Sequence, residues 1–346
     1  MSISASLWPR IADLRLVVEG LESEHLAPGE GFGEAHVTRL VRLAGDGEEG
    51  LGEDITLFMS EAPALPLEGE WTMASFCEHL AAAEQWPEPP EWEMARRWRN
   101  WSYESAALDL ALRQAKKPLH EVLGLDPRPV TFVNSLDLGD PPSADTVLRR
   151  LHHYPQLRFK LDAKPDWTPE IVDALVGTGA VETVDFKGHY GMEIEDMPAL
   201  ISLYDRVLDA FPGALIEDPH DVPEVAERLG RHLDRIAYDA LITTVADLDA
   251  TPLEARTFNI KPSRVGRLET LFELYATCEE RGLAMYGGGM GELGVARGQI
   301  QLLASMFSPD GPNDIAPSGF NALDPAPDLE TSPLLVRPAA TGFRRA

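Results

Sequence analysis

The chain is poor in cysteine and in positive charge. Its 346 residues include two cysteines, Cys77 and Cys278, far apart and in no metal-binding or redox spacing, so neither a disulfide framework nor a cysteine-based metal site is expected. Thirty lysines and arginines stand against 57 aspartates and glutamates, a net charge of −27. That balance argues against nucleic acid and against an anionic membrane as partners. It also gives weight to each basic residue near a site, because an anionic substrate needs a local positive field. No apolar run reaches the length of a membrane span, no leader peptide is expected ahead of the first structured segment, and a cytoplasmic location is the expectation. What the chain does have is apolar residue, 44% of the total, enough for a large core and about two domains.

Before residue 126 the pattern is mixed. Residues 14–18 and 35–43 read as strands around a Gly- and Glu-rich loop, 45–54 as a further turn, and 75–85 and 94–116 as helices. The second helix carries Ala106, Ala107, Leu110, Ala111 and Ala115, a small-residue face at helical spacing. The glycine and two prolines of 123–129 mark a boundary. Beyond it, strand patterns at 131–135, 157–162, 181–187, 214–217, 236–239, 257–261, 284–287 and 314–316 alternate with helical ones at 143–153, 169–175, 197–211, 264–281 and 292–306. Eight strands separated by helices predict an α/β fold of the (β/α)8, TIM-type barrel kind, whose active site lies at the strand C-termini. The expected division is residues 1–126 as an N-terminal α+β capping domain, 127–320 as the barrel, and 321–346 as a tail returning to the capping domain.

Four charged residues each close a short apolar run: Asp185, Glu217, Asp239 and Lys261. The gaps between them are 32, 22 and 22 residues. One β/α unit takes about 20–35 residues, so all four are expected at the same rim of the sheet. Three carboxylates converging at one mouth repel unless a hard cation joins them, and oxygen ligands suit Mg²⁺. A lysine one strand further on then faces whatever the metal holds.

These stretches, taken in order, resemble the enolase superfamily, and more closely its mandelate racemase/muconate lactonizing branch. The resemblance runs over residues 14–321. It is carried by Ser-Ala-Ala-Leu-Asp-Leu-Ala-Leu at 105–112, Pro-Leu-His-Glu-Val-Leu-Gly at 118–124 and Arg-Phe-Lys-Leu-Asp at 158–162. Val-Asp-Phe-Lys-Gly at 184–188, Ile-Glu-Asp-Pro at 216–219, Asn-Ile-Lys-Pro at 259–262 and Gly-Gly-Gly-Met-Gly-Glu-Leu-Gly at 287–294 complete it.

The resemblance implies that Asp185, Glu217 and Asp239 are Mg²⁺ ligands and that Lys160, the second position of a Lys-x-Lys motif, is the acid/base. Lys261 is implied to approach the substrate from the opposite face. Arg158 stands where the first lysine of the motif belongs. Alternation puts it on the same strand face as Lys160, where its charge should lower the pKa of that amine. Lys187 replaces an asparagine and is expected to meet a substrate oxyanion or pair with Glu217. Gly288 and Gly289 are expected to offer backbone N–H groups to a substrate carboxylate. Ala240 departs from the pattern, since a second acid usually follows the ligand on the fifth strand.

The activity implied is Mg²⁺-dependent removal of the proton α to a carboxylate, through a metal-stabilised enediolate, followed by elimination, cycloisomerisation or epimerisation. The substrate implied is a small carboxylate, selected chiefly by capping-domain loops near 22–34 and 53–63, and a homo-oligomer is implied by resemblance alone. A racemase or epimerase using both lysines, and a non-catalytic metal-binding barrel, remain alternatives. Each residue also has a plainer reading: acids can cap strand ends, lysines can sit at a barrel rim, and glycines serve tight packing.

Overall fold

A computed structural model describes residues 7–27, 37–56, 60–191 and 193–346. Parts of both expected selectivity loops, 28–36 and 57–59, lie outside the described residues. The first unit begins with α1 (Pro9–Ala12) and the strands β1 (Arg15–Val18), β2 (Gly20–Leu26), β3 (Thr38–Gly45), β4 (Glu48–Asp54) and β5 (Gly69–Thr72). β2, β3 and β4 form an antiparallel sheet in that order, and β1 pairs antiparallel with β5. Three helices follow: α2 (Met73–Ala82), α3 (Met94–Gln114) and α4 (Leu119–Leu123).

The Glu-Gly-Leu-Gly-Glu run read as a turn is the middle of β4. Its glycines admit close packing, because a Cβ at Gly50 or Gly52 would run into the α3 backbone at Ala106 and Ser102. The small-residue face of α3 is the other half of that contact, with Ser102, Ser105, Ala106 and Ala107 fully buried.

The second unit is built of β6 (Asn134–Leu136), α5 (Asp145–His153), β7 (Phe159–Asp162), α6 (Pro169–Thr178), β8 (Val181–Asp185), α7 (Met197–Ala210), β9 (Leu215–Glu217), α8 (Pro223–Leu229) and β10 (Ile236–Tyr238). It continues with β11 (Thr257–Ile260), α9 (Pro262–Val265), α10 (Leu268–Arg281), β12 (Ala284–Gly287) and α11 (Val295–Phe307). Local signals start these helices where the barrel needs them. The Thr168 and Asp196 side chains accept the N–H groups of Ile171 and Ala199 at the starts of α6 and α7. Gly179 and Gly282 end α6 and α10 in the left-handed conformation.

The seven strands form one parallel sheet in the order β6-β7-β8-β9-β10-β11-β12, each beside its sequence neighbour. Such a run of β/α units is a TIM-type barrel, and the first unit caps it. The strand expected at 131–135 is β6, displaced towards Leu136. The one expected at 314–316 is present as two isolated bridges, Phe132 to Asn313 and Gly288 to Asp314. Residues 313 and 314 thus reach both ends of the seven-stranded sheet. The last residues lie on the capping helix: Phe343 is fully buried edge-on to Trp101, and Asp109 of α3 accepts the Phe343 N–H at 2.7 Å and the Arg344 guanidinium. Among the described residues no helix is long and apolar enough to cross a membrane.

Candidate active site

Parallel pairing brings the C-terminal ends of the strands to one rim. Asp185 and Glu217 end β8 and β9 and are partners in register; Asp239 and Lys261 directly follow β10 and β11. Lys160 lies inside β7. All five are buried, the four other than Lys261 to within 1% of complete. On β7 the residue level with Asp185 is Asp162, whereas Lys160 is level with Thr183, one step deeper. Lys160 therefore sits beneath the mouth.

The charges are closely matched. The Lys160 ammonium lies 3.0 Å from Asp185 Oδ2, donates to Glu217 Oε1 and is 3.7 Å from Asp314 Oδ2. Burial alone would lower its pKa, but Asp185 and Glu217 outweigh burial and hold it well above the ordinary lysine value. Tyr286 donates its hydroxyl to Glu217 Oε2 at 2.6 Å. Asp239 Oδ2 is 2.8 Å from Lys261 Nζ and accepts the Tyr190 hydroxyl at 3.1 Å, while Oδ1 takes the Arg264 guanidinium. Burial works against the Asp239 charge, yet Arg264 and Lys261 hold its pKa well below the carboxylate range.

Whether this donor set suits a divalent cation is a question of oxygen placement. Among the described residues, carboxylate oxygens of Asp185, Glu217 and Asp218 lie within 4.8 Å of one another, all buried. Burial, reinforced by Asp239 and Asp185, pushes the Asp218 carboxyl up to about 6, the strain that a bound cation relieves. The set is all oxygen and suits a hard divalent ion. It differs from the expected one, with Asp218 in the cluster and Asp239 turned to Lys261 and Arg264. Asp218 also accepts the backbone N–H groups of Asp239 and Ala240, at 2.8 and 2.9 Å, so the β9 and β10 ends are tied where Ala240 departs from the pattern.

Four further expectations meet a different geometry. Arg158 does not stand beside Lys160: it precedes β7, its guanidinium is 3.4 Å from Glu182, and the β7–β8 register shifts between Phe159 and Lys160. The Lys160 pKa is raised rather than lowered, because carboxylates and not Arg158 surround it. Lys187 pairs with Asp185 and, at 3.2 Å, with Asp162 instead of Glu217. The Gly289 N–H is given to the Asp314 carbonyl at 3.2 Å, and Gly288 packs under Lys261 and Asn259.

Lys187 and Asp218 are both non-glycine residues in the left-handed region, at φ 52 and 45, each just past a strand-ending acid. Such strain is common where side chains are aimed for function. Beside them a cavity of about 670 Å³ is lined by Asp137, Asp162, Lys164, Lys187, Tyr190 and His220, a size suited to a small molecule.

Sequence reasoning missed Asp218, Tyr286, Arg264 and Glu53. Glu53, buried at the end of β4, accepts the N–H groups of Leu293, Gly294 and Ala296 at 2.6 to 3.1 Å. It thereby fills the anion position at the start of α11 with a carboxylate from the capping unit. Asp218 follows Glu217 directly, but strand alternation points it to the other face, and no local signal marks a contact as distant in sequence as that of Glu53. His220 is structural, its ring and N–H bonded to the Tyr204 hydroxyl.

Two family models match the chain, described as the N-terminal and C-terminal domains of a domain of unknown function, DUF8230, over residues 9–122 and 126–322. An N-succinylamino acid racemase of Thermus thermophilus is 28% identical over 297 residues, 80% of this chain and 77% of its own. An o-succinylbenzoate synthase of Bacillus subtilis is 29% identical over 227 residues, 62% of this chain and 58% of its own. Among solved structures, an enolase-superfamily member from Enterococcus faecalis superposes with a TM-score of 0.62 at 22% identity, covering 87% of this chain and 86% of the other. The relatives are enzymes named for racemase and synthase activities, and the capped barrel with its buried acidic cluster suits metal-dependent proton abstraction. The chain belongs to the DUF8230 family, and its fold is that of enolase-superfamily structures.

Proposed function

We propose that this protein uses Mg²⁺ to remove the proton α to the carboxylate of a small substrate, and that Lys160 and Lys261 are its acid/base pair. The observation that carries the reading is the placement of two buried lysines on β7 and just after β11, with three strands between them, flanking the carboxylates that those strands carry. Asp185, Glu217 and Asp218 would hold the cation. When bound, it supplies positive charge to the oxygens on which the enediolate's second negative charge develops. Lys160, once it has given up its own proton, takes the α-proton from the β7 side, and Lys261 faces the reacting carbon from the β11 side. Arg264 and Tyr190 fix Asp239, which in turn orients Lys261. Glu53 holds the segment between Gly288 and α11 from the capping side. The barrel is eight-stranded, with residues 313 and 314 in the eighth position.

Elimination needs one base and a fixed cation, whereas epimerisation needs a competent group on each face. The buried Lys261 beside Asp239 supports the second course as well as the first. The test is to incubate the protein with Mg²⁺ in D₂O with N-succinylamino acids, other amino-acid derivatives, acid sugars and succinyl-aromatic acids. Deuterium at the α-carbon is the expected result. Absence of exchange with every class, in protein shown to bind Mg²⁺, would overturn the proposal.

A further inference from the structure

We propose that Lys160 is the internal cation that a metal ion has to displace, so that metal binding and release of this lysine are one event. The inference rests on the functional reading above and adds a coupling to it. It follows from how the oxygens of two carboxylates are shared out. Asp185 Oδ1 accepts the Lys187 backbone N–H at 2.9 Å, and Glu217 Oε2 accepts the Tyr286 hydroxyl at 2.6 Å. Each carboxylate therefore commits one oxygen to a neutral donor. Of the remaining oxygens, Glu217 Oε1 is held by Lys160, and Asp185 Oδ2 is shared by Lys160 and the less buried Lys187.

A divalent cation drawn to Asp185, Glu217 and Asp218 therefore meets the Lys160 ammonium on two of its three carboxylates. Asp185 Oδ2 already carries two ammonium groups, and a further cation in a site with 1% or less exposure meets charge repulsion that is poorly screened. The ammonium has somewhere to go: Asp314 Oδ2 is 3.7 Å away, on a side chain 18% exposed. A four-carbon stem with rotatable bonds makes that shift without backbone movement. Without the metal, Lys160 neutralises two buried carboxylates that would otherwise repel. With the metal, the lysine is freed from both, and the base is positioned only when the electrophile is present.

The experiment uses the full chain and reads metal affinity. Mg²⁺ is titrated calorimetrically into the wild type, Lys160→Met and, as a surface control, Lys116→Met, whose parent side chain is exposed and pairs with Glu48. Lys160→Met is expected to bind Mg²⁺ at least tenfold more tightly than the wild type, and Lys116→Met equally tightly. Equal or weaker binding by Lys160→Met, with a wild type that does bind, overturns the inference and leaves the functional reading standing. Absence of Mg²⁺ binding by both overturns the functional reading and the inference with it. A second measurement needs no variant at this position. Reductive methylation of the wild type, read by mass spectrometry, should label Lys160 faster with Mg²⁺ than without it, and unchanged or slower labelling overturns the coupling.

Discussion

Gly288 lies directly beneath Lys261. A Cβ at position 288 would stand 2.5 Å from Lys261 Cε and 2.6 Å from Asn259 Oδ1, closer than nonbonded atoms approach. Asn259 is fully buried and its amide is otherwise unpartnered, so it has no alternative bond to stabilise a new position. Gly288→Ala should therefore push Lys261 off Asp239 while leaving the barrel folded. General acid–base catalysis contributes about 10²–10⁴-fold, and turnover should fall by about the lower of these values. Unaltered kinetics, with a folded protein by circular dichroism, would show that Lys261 does not need this seat.

The capping unit and the barrel are clasped by Glu53. Its carboxylate takes three backbone N–H groups at the start of α11, and the Thr38 hydroxyl donates to it at 2.8 Å. Glu53→Ala leaves those donors without their charged acceptor. Bonds to a charged group are worth roughly 1.5–3 kcal/mol each and water recovers part of the loss, so a destabilisation of about 3 kcal/mol is expected. Urea unfolding of the variant measures it. A change within 0.5 kcal/mol, as for about any surface substitution, would rule out a clasp.

A second junction between the units titrates. Glu104 of α3 is fully buried and accepts the Leu268 N–H at 2.6 Å and the Asn100 amide at 2.8 Å. Burial raises its pKa from the ordinary 4.5 to about 6. Between these values the folded chain binds more protons than the unfolded one, so its contribution is full below pH 4.5 and is lost as pH rises through 6. The difference is about 2 kcal/mol. Glu104→Gln removes this titration, and the stability of the wild type relative to the variant should fall by about that amount between pH 4 and 7. Parallel stability curves would contradict it.

How much of this was legible in the sequence depended on the range of each signal. The β/α alternation and the strand-ending positions of Asp185, Glu217, Asp239 and Lys261 are local, and their spacing alone set them on one rim. Arg158 was misplaced because strict alternation was assumed across a register shift beside Phe159. Asp218 escaped notice for a related reason. Alternation turns it away from Glu217, but its φ of 45 lies outside the strand region and brings its carboxylate back to the cluster. The glycines of β4 and the Glu53 clasp depend on partners some 50 and 240 residues away, such as Ser102 and Leu293. No pattern within a short window records such contacts.

The two lysines are separable by the face on which exchange occurs. Lys160→Ala should abolish α-deuterium exchange from the β7 side, and its loss of turnover should reach at least about 10²-fold. The barrel should stay folded in the presence of Mg²⁺, because the cation compensates Asp185 and Glu217 for the missing ammonium. Lys261→Ala then distinguishes the two courses of reaction. In a two-base epimerase it stops exchange on the β11 face and spares the β7 face, so one enantiomer of substrate still exchanges. In a one-base elimination it slows turnover by removing a fixed cation, and no face-specific exchange is lost. Proton NMR of both enantiomers of a substrate in D₂O, for each variant, reads all four combinations. Full activity of Lys160→Ala would transfer the role of base on the β7 side to another group, and Asp162 is the side chain level with Asp185 there.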